Sequence, residues 1–182
     1  GDNIVVADSG AINLTTGTAS TTSSSLAGND QVTTGSGADI VLGGSFADVL
    51  TLGAGANLAL GDTGTITFTA ARGAKVLTSL SNNFDGNDTV TATSGADVAV
   101  LGGGSDVANL GEGVNRVIGD SGVVDVVGMS LSATSATYLD SAPTASTAGD
   151  AGGDTITTGA GIDIIIGGSR ADTISGGNGN NV

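Results

Sequence analysis

Residues 37–54 read GADIVLGGSFADVLTLGA, which is two nine-residue blocks, each with Asp at its third position and an apolar residue at its fifth. The same blocks fill residues 28–63, 86–121 and 152–182. Each full set contains four blocks, and its closing block carries Asn in place of the third-position Asp. Residues 1–9 repeat such a closing block. Recurrence at a short fixed period is typical of solenoids, whose successive coils stack on one another.

Variable stretches separate the sets. They begin AINLTT, TITFTA and VVDVVG, which alternate or run apolar like strands, and then become rich in Ser, Thr and Ala. We therefore expect one continuous solenoid in four parts. These are residues 1–27 (the end of one set and its variable stretch), 28–85 and 86–151 (each a set with its variable stretch), and 152–182 (a truncated set). Because the chain begins and ends within a set, we expect it to be a segment of a longer protein.

The fifth position of each block predicts the core. It is always apolar, at Val5, Val32, Val41, Leu50, Ala59, Val90, Ala99, Ala108, Val117, Ile156, Ile165 and Ile174. A short strand around each fifth residue, with glycines on either side for the turns, predicts an all-β parallel β-roll, or β-solenoid. First and third blocks, the odd blocks, should form one sheet, and second and fourth blocks, the even blocks, the other.

The neighbours of the fifth residue differ between the two kinds of block. In odd blocks they are polar or mixed, whereas in even blocks they are mostly apolar, with Arg116 as the exception. Successive side chains of a strand point to opposite faces, so the even sheet should be covered on both faces. The cover is either the variable stretches, through Ile66, Phe68, Val76, Leu77 and Leu80, or a second copy of the chain in lateral self-association.

Composition excludes several functions. The chain has 33 Gly, no Cys, no His and only four Lys or Arg, and its formal net charge is −14. Such a charge disfavours nucleic acids and anionic membrane surfaces, which bind clustered Lys and Arg. No apolar run approaches the roughly 18 residues of a membrane span, so we expect no membrane insertion. Without His or Cys, and without an evident catalytic constellation, we expect this region not to be an enzyme.

The third positions predict a metal site. They are Asp30, Asp39, Asp48, Asp88, Asp97, Asp106, Asp154, Asp163 and Asp172, with Asn3, Asn57, Asn115 and Asn181 in the closing blocks. Calcium takes six to eight oxygen ligands from carboxylates and backbone carbonyls, more than one turn supplies. Two stacked turns on one edge of the roll should therefore share an ion. The predicted pairs are Asp30 with Asp48, Asp39 with Asn57, Asp88 with Asp106, Asp97 with Asn115, Asp154 with Asp172, and Asp163 with Asn181.

The segments TGSGADIVLGGSFADVL, TSGADVAVLGGGSDVANL and TGAGIDIIIGGSRADTI resemble the G-G-x-G-x-D-x-U-x nonapeptide of the RTX, or haemolysin-type, calcium-binding repeats. The resemblance implies a β-roll whose six-residue turns, such as residues 43–48, bind several calcium ions between coils. It also implies type I secretion from a Gram-negative-type bacterium and folding in extracellular calcium. Phe46, Thr93 and Arg170 depart from the pattern by replacing turn glycines. The roles of Asp8, Asp62 and Asp120 stay open, and so does the question whether the Asn-containing closing turns bind calcium, bind it weakly or stay empty.

Three functions remain as hypotheses. The first is a calcium-stiffened structural region of a secreted or cell-surface adhesin, stalk or matrix fibre, whose partners are calcium and neighbouring repeats or copies. The second is a repeat module attached to a secreted enzyme or toxin, with catalysis in another domain. The third is ice binding through the Thr-bearing odd blocks. Because the core is thin, we expect a calcium-free roll to be marginal or unfolded.

Overall fold

A computed structural model describes residues 1–69, 74–80, 83–126, 137–141 and 152–182. Within these ranges the fold is all-β, with short strands and no helix. Accordingly, this part of the chain contains no helix long and apolar enough to cross a membrane. The predicted all-β parallel roll is confirmed.

Two parallel sheets of three-residue strands form the roll. The even sheet contains β1 (Ile4–Val6), β5 (Ile40–Leu42), β7 (Leu58–Leu60), β12 (Val98–Val100), β15 (Arg116–Ile118) and β19 (Ile164–Ile166), in that order. The odd sheet contains β4 (Gln31–Thr33), β6 (Val49–Thr51), β10 (Thr89–Thr91), β13 (Val107–Asn109), β18 (Thr155–Thr157) and β20 (Thr173–Ser175). Fifth-position residues pair with one another throughout, as in Val41 with Ala59. A small bridge between β11 (Ser94–Gly95) and β14 (Glu112–Gly113) joins two turns.

A third sheet lies on the roll and is antiparallel. Its strands are β2 (Gly10–Asn13), β3 (Thr18–Thr21), β8 (Gly64–Phe68), β9 (Ala74–Ser79), β16 (Gly122–Val126) and β17 (Thr137–Ser141). Each variable stretch supplies one hairpin, and neighbouring hairpins pair through β3 with β8 and β9 with β16. We call it the cover sheet. The chain therefore leaves the roll after each closing block, forms a hairpin, and resumes the roll.

The inner core lies between the even and odd sheets. It consists mainly of fifth-position residues, supplemented by the seventh-position residues Leu52, Leu101 and Leu110. Most of these side chains are fully buried, but several are alanines, such as Ala59, Ala99 and Ala108. Because an alanine buries little apolar area, this layer contributes less per residue than an ordinary globular core.

The outer core lies between the even sheet and the cover sheet. Ile40, Leu42, Leu60 and Val98 of the even sheet pack there against Ala19, Ile66, Phe68, Leu77, Val124 and Val126 of the cover sheet. All of these side chains are at most 5% exposed. Of the two predicted covers, the structure shows the intramolecular one. The cover sheet buries the apolar residues of β5, β7 and β12, whereas those of β1 and β19, at the two ends of the even sheet, are only half-buried.

Two residues depart from the expected cover. Leu80 is 57% exposed and does not belong to the outer core, and Val76 is only half-buried.

Arg116 points into the outer core and is fully buried, although its guanidinium makes no hydrogen bond within the described ranges. Burial lowers the pKa of Arg116 from its ordinary value. At β15 the outer core is thus interrupted by a charged group.

Phe46 and Arg170 take the first position of a block, where other blocks have glycine. Their φ angles are 71° and 72°, in the left-handed region that costs most residues about 1–2 kcal/mol. Phe46 has a compensating contact, because its ring centroid lies 5.9 Å from that of Phe84 at a tilt of 49°. Such ring pairs contribute about 0.5–1.5 kcal/mol beyond area burial. The segment that follows β9 is therefore packed, through Phe84, against the turn containing Phe46.

The outer core gives a direct test of the cover. Leu77→Ala should lower the free energy of unfolding by about 2–5 kcal/mol, because it leaves a cavity under the cover sheet. Leu80→Ala, an identical change on the next exposed leucine, should stay within about 0.5 kcal/mol. Urea unfolding in saturating calcium measures both. Equal effects of the two substitutions would mean that the cover sheet does not pack on the even sheet.

Candidate metal-binding edges

The third-position aspartates of the odd blocks form an unbroken column along one edge of the roll, which we call the odd edge. It contains Asp30, Asp48, Asp88, Asp106, Asp154 and Asp172, in that order. The Oδ1 atom of each Asp accepts the backbone N–H of the preceding Asp in the column, at 2.8–3.0 Å. The backbone carbonyl of each Asp also accepts from the next coil, as Asp48 does from Thr89. Side chain and backbone together therefore extend the parallel ladder into the turns.

The even edge lies opposite and follows the same rule. It contains Asn3, Asp39, Asn57, Asp97, Asn115, Asp163 and Asn181. Each side-chain Oδ1 again accepts the backbone N–H of the preceding residue, at 2.8–3.2 Å. All six predicted pairs therefore lie on adjacent coils. The columns also continue across the variable stretches, joining Asp48 to Asp88 and Asp106 to Asp154, two pairs that were not predicted from the repeat.

The second carboxylate oxygen distinguishes these residues from ordinary turn aspartates. Oδ2 is buried and has no hydrogen-bond partner within the described ranges at Asp39, Asp48, Asp88, Asp97, Asp106 and Asp154. A buried carboxylate without compensation is costly, because it has lost water and gained nothing in exchange. These oxygens are therefore suited to a cation.

Backbone carbonyls accompany the unpartnered oxygens. On the odd edge, Gly43 lies against Asp48 Oδ2 and the carbonyl oxygen of Gly61 in the next coil, and a Cβ at Gly43 would collide with both. Gly119 has the same relation to Asp154 Oδ2 and the carbonyl oxygen of Gly167. Glycine is thus required where the oxygens converge.

This donor set is one that calcium favours. Within the described ranges, no three Asp or Glu side chains gather into a metal-binding group of their own. A bound ion would therefore draw on backbone carbonyls as well as on the carboxylates of stacked turns. Carboxylate plus carbonyl oxygen, supplied by flexible turns, is the coordination typical of calcium.

Burial has a clear effect on the titration of these groups in the metal-free protein. Burial, together with neighbouring carboxylates and against backbone hydrogen bonds that lower the pKa, raises the pKa of Asp48 and Asp154 to about 7 and that of Asp106 to about 8. Burial and the adjacent Asp106 also raise the pKa of Asp88. On the even edge, burial raises the pKa of Asp97 to about 6, against hydrogen bonds from Asn57 that lower it. The odd edge thus carries the greater electrostatic cost.

The closing-block aspartates, Asp8, Asp62 and Asp120, have a common role that sequence reasoning left open. Each Oδ2 accepts a backbone N–H from the turn of the next coil, at Ser45, Gly103 and Ser169 respectively. Each also lies close enough to the odd edge to interact with its carboxylates. Burial and the nearby Asp88 raise the pKa of Asp62. The shared Asp at the eighth position of closing blocks was the sequence signal for this turn cap.

Comparison with known proteins agrees with the geometry. A family model described as the RTX calcium-binding nonapeptide repeat matches four times, at residues 17–50, 33–65, 83–117 and 148–182. These matches include both edges of the roll. No curated protein and no solved structure matches the chain.

The raised pKa values predict an unusual pH dependence for the metal-free protein. A carboxyl whose folded pKa is about 7–8 and whose unfolded pKa is 3.8 binds more protons when folded. Its stabilising effect is therefore present at acidic pH and is lost as the pH rises from about 4 to about 8. Because several such groups lie on the odd edge, together they lower the free energy of unfolding of the metal-free protein at neutral pH. In chelator, the protein should melt cooperatively at pH 5, and its melting temperature should fall as the pH rises until the transition is lost near neutral pH.

Two variants separate this effect from general charge repulsion. Asp106→Asn should flatten the pH dependence, whereas Asp125→Asn, which removes a charge on the cover sheet, should leave it unchanged. Calorimetric melting in chelator across this pH range gives the comparison. A metal-free protein that becomes more stable from pH 5 to pH 8 would contradict the electrostatic account of the odd edge.

Proposed function

Because the chain belongs to the RTX calcium-binding nonapeptide repeat family, we propose that it is a structural region of a secreted or cell-surface protein that folds on binding several calcium ions. The observation that carries the proposal is the row of buried, unpartnered Oδ2 atoms at Asp48, Asp88, Asp106 and Asp154. A cation between neighbouring coils compensates their charge and joins the coils. Calcium binding then becomes part of the free energy of folding.

The continuity of the roll supports a structural role. The edge columns and both parallel sheets continue from one set to the next while the hairpins leave and return. Added sets of the same kind therefore lengthen the roll without altering its cross-section. A rod of this kind suits an adhesin body, a stalk or a matrix fibre. The four-part division at residues 27, 85 and 151 is the corresponding proposal for its units.

Export is part of the proposal. In low intracellular calcium, the like charges of the odd edge oppose folding, and the chain stays unfolded for passage through a type I secretion system. Millimolar calcium outside the cell then drives folding. We propose no catalytic role for this region. The partners we propose are calcium and neighbouring repeats along the roll axis, since the central strands of the even sheet are already covered by the chain's own hairpins.

An attached enzyme or toxin is the alternative context. The repeats would then serve as a calcium-dependent folding module for a catalytic domain elsewhere in the polypeptide. The flanking sequence distinguishes the two contexts, because many further sets indicate a fibre, whereas a catalytic domain indicates the alternative.

Ice binding is favoured by one observation, the register of the odd sheet. Thr33, Thr51 and Thr91 stack in one exposed or half-exposed column that continues through Asn109, Thr157 and Ser175. The parallel column beside it contains Gln31, Val49 and Val107, which interrupt the threonines. We therefore place ice binding second to the structural role, and thermal hysteresis of the calcium-bound protein tests it.

Calcium-dependent folding is the first expectation from this proposal. Circular dichroism at neutral pH should show a β signal that appears with millimolar calcium and disappears in excess chelator. Equivalent magnesium should be much less effective, because it demands near-ideal octahedral geometry. The same cooperative melting transition in chelator and in calcium would rule out the proposal.

The second expectation is that substitution of a single third-position Asp removes a calcium site. Asp106→Ala should reduce the number of calcium ions bound and destabilise the roll, because Asp106 lies between Asp88 and Asp154 in the odd column. Asp125→Ala, on the cover sheet, should bind as many ions as the wild type. Isothermal titration calorimetry measures both. An unchanged stoichiometry for Asp106→Ala would show that the third position does not bind the ion.

A further inference from the structure

The even edge alternates between carboxylate and amide, unlike the odd edge. From Asn3 to Asn181 it runs Asn, Asp, Asn, Asp, Asn, Asp, Asn. The four asparagines are those of the closing blocks. All four were predicted above as metal ligands, and Asn57, Asn115 and Asn181 were predicted to share an ion with an Asp neighbour. Their side-chain nitrogens provide the relevant contacts.

Asn57 shows the contacts most fully. Its Nδ2 donates to the carbonyl oxygens of Gly53 and Gly55 in its own turn, at 3.4 and 3.2 Å. The same nitrogen donates to Oδ1 of Asp97 in the next coil, at 2.9 Å. Two turn carbonyls and a carboxylate of the following coil therefore surround one positively polarised N–H₂ group. These are the kinds of oxygen that calcium takes as ligands.

The other closing-block asparagines repeat parts of this arrangement. Asn3 Nδ2 donates to the carbonyl of Gly1 at 2.7 Å and to Asp39 Oδ1 at 2.8 Å. Asn115 Nδ2 donates to the carbonyl of Gly111 at 3.2 Å, and Asn181 Nδ2 donates to that of Gly176. At Asn57, Asn115 and Asn181 the amide oxygen accepts the backbone N–H of the preceding Asp in the column, which fixes the orientation of the amide.

The intervening aspartates lack such a donor. At Asp39 and Asp97, Oδ2 takes the position that Nδ2 takes in asparagine, and it is buried without a hydrogen-bond partner. Asp163 is partly compensated, because the Thr158 hydroxyl donates to its Oδ2 at 2.8 Å. Along the even edge, turns with their own donor therefore alternate with turns whose carboxylate needs a positive partner.

We propose that the closing-block asparagines replace calcium instead of binding it, so that the even edge takes ions at its Asp turns while the Asn amides join the remaining coils without metal. This assignment rests on the proposed calcium-dependent function, and it is an alternative to the expectation that Asn3, Asn57, Asn115 and Asn181 are ligands in their own turns. Their amide oxygens still accept hydrogen bonds from the preceding coil. Their amide nitrogens occupy the place beside the turn carbonyls that a cation would otherwise take. Each four-block set then ends with a metal-free connection, and the closing block is the point where the hairpin leaves the roll.

Reciprocal substitutions test the proposal. Asn57→Asp removes the amide donor and leaves a carboxylate facing the carbonyls of Gly53 and Gly55. It should bind one more calcium ion at saturation than the wild type and should need a higher calcium concentration to fold. Asn13→Asp, which adds the same charge on exposed β2, is the matched control and should change neither quantity appreciably. Equilibrium dialysis gives the number of ions, and circular dichroism gives the calcium midpoint of folding.

Asp97→Asn makes the opposite change. It should bind one ion fewer and yet fold at a lower calcium concentration, because the new amide supplies its own donor. Asp97→Ala should also bind one ion fewer but fold at a higher calcium concentration. Asp125→Asn controls for the loss of one negative charge. Opposite shifts for Asp97→Asn and Asp97→Ala are specific to an amide that replaces the ion.

The outcomes separate this proposal from the general function. Wild-type protein that binds no calcium would overturn the proposed function. Wild-type protein that binds calcium, with an Asn57→Asp variant that binds the same number of ions, would overturn only the role of the amides. If the wild type is folded in chelator, the melting temperature in chelator replaces the calcium midpoint of folding. An Asp97→Asn melting temperature no higher than those of Asp97→Ala and Asp125→Asn would then overturn the amide role.

Discussion

Stacked aspartates on the odd edge set the electrostatic condition for the whole roll. Each carboxylate must lie directly above the next, because its Oδ1 extends the hydrogen-bond ladder of the parallel sheet. The same geometry buries Oδ2 and places like charges on adjacent coils. The ladder and the charge therefore cannot be separated. We therefore propose that the fold becomes stable when the carboxylates are protonated or a cation lies between them.

The thin inner core makes this condition decisive. Alanines at Ala59, Ala99 and Ala108 contribute little apolar area, and strands of three residues are too short to be stable alone. The cover sheet adds a second apolar layer, since its hairpins pack on the outer face of the even sheet. The hairpins do not shift the register of the roll. The backbone N–H of Asp48 donates to Oδ1 of Asp88 across a hairpin at 2.8 Å, the same distance at which Asp88 donates to Asp106 within a set. The variable stretches thus stabilise the roll without interrupting either edge.

Much of this architecture was predictable from the repeat. The third and fifth positions recur in register, so the two parallel sheets, the inner core and the pairing of turns followed from period alone. The cover sheet could not be predicted in this way, because the variable stretches do not share the nine-residue period. Their sequence shows strand-like segments but not which of them pair. From sequence alone, apolar residues such as Ile66 and Leu77 are compatible either with an intramolecular cover or with an interface between copies. Leu80 is equally apolar, yet it is exposed. The role of Asn57 also depended on the direction of its amide, which only its hydrogen-bond partners determine.

The central claim is that cations lie between stacked turns, beside the buried Oδ2 atoms of the odd edge. A crystal structure of the protein grown in calcium, with data collected for the anomalous signal of calcium, tests it most directly. The account predicts anomalous peaks within about 2.3–2.6 Å of Oδ2 in Asp48, Asp88, Asp106 and Asp154, with backbone carbonyl oxygens completing the coordination. Water molecules or protons at these carboxylates, in a fully folded roll at neutral pH and saturating calcium, would contradict it.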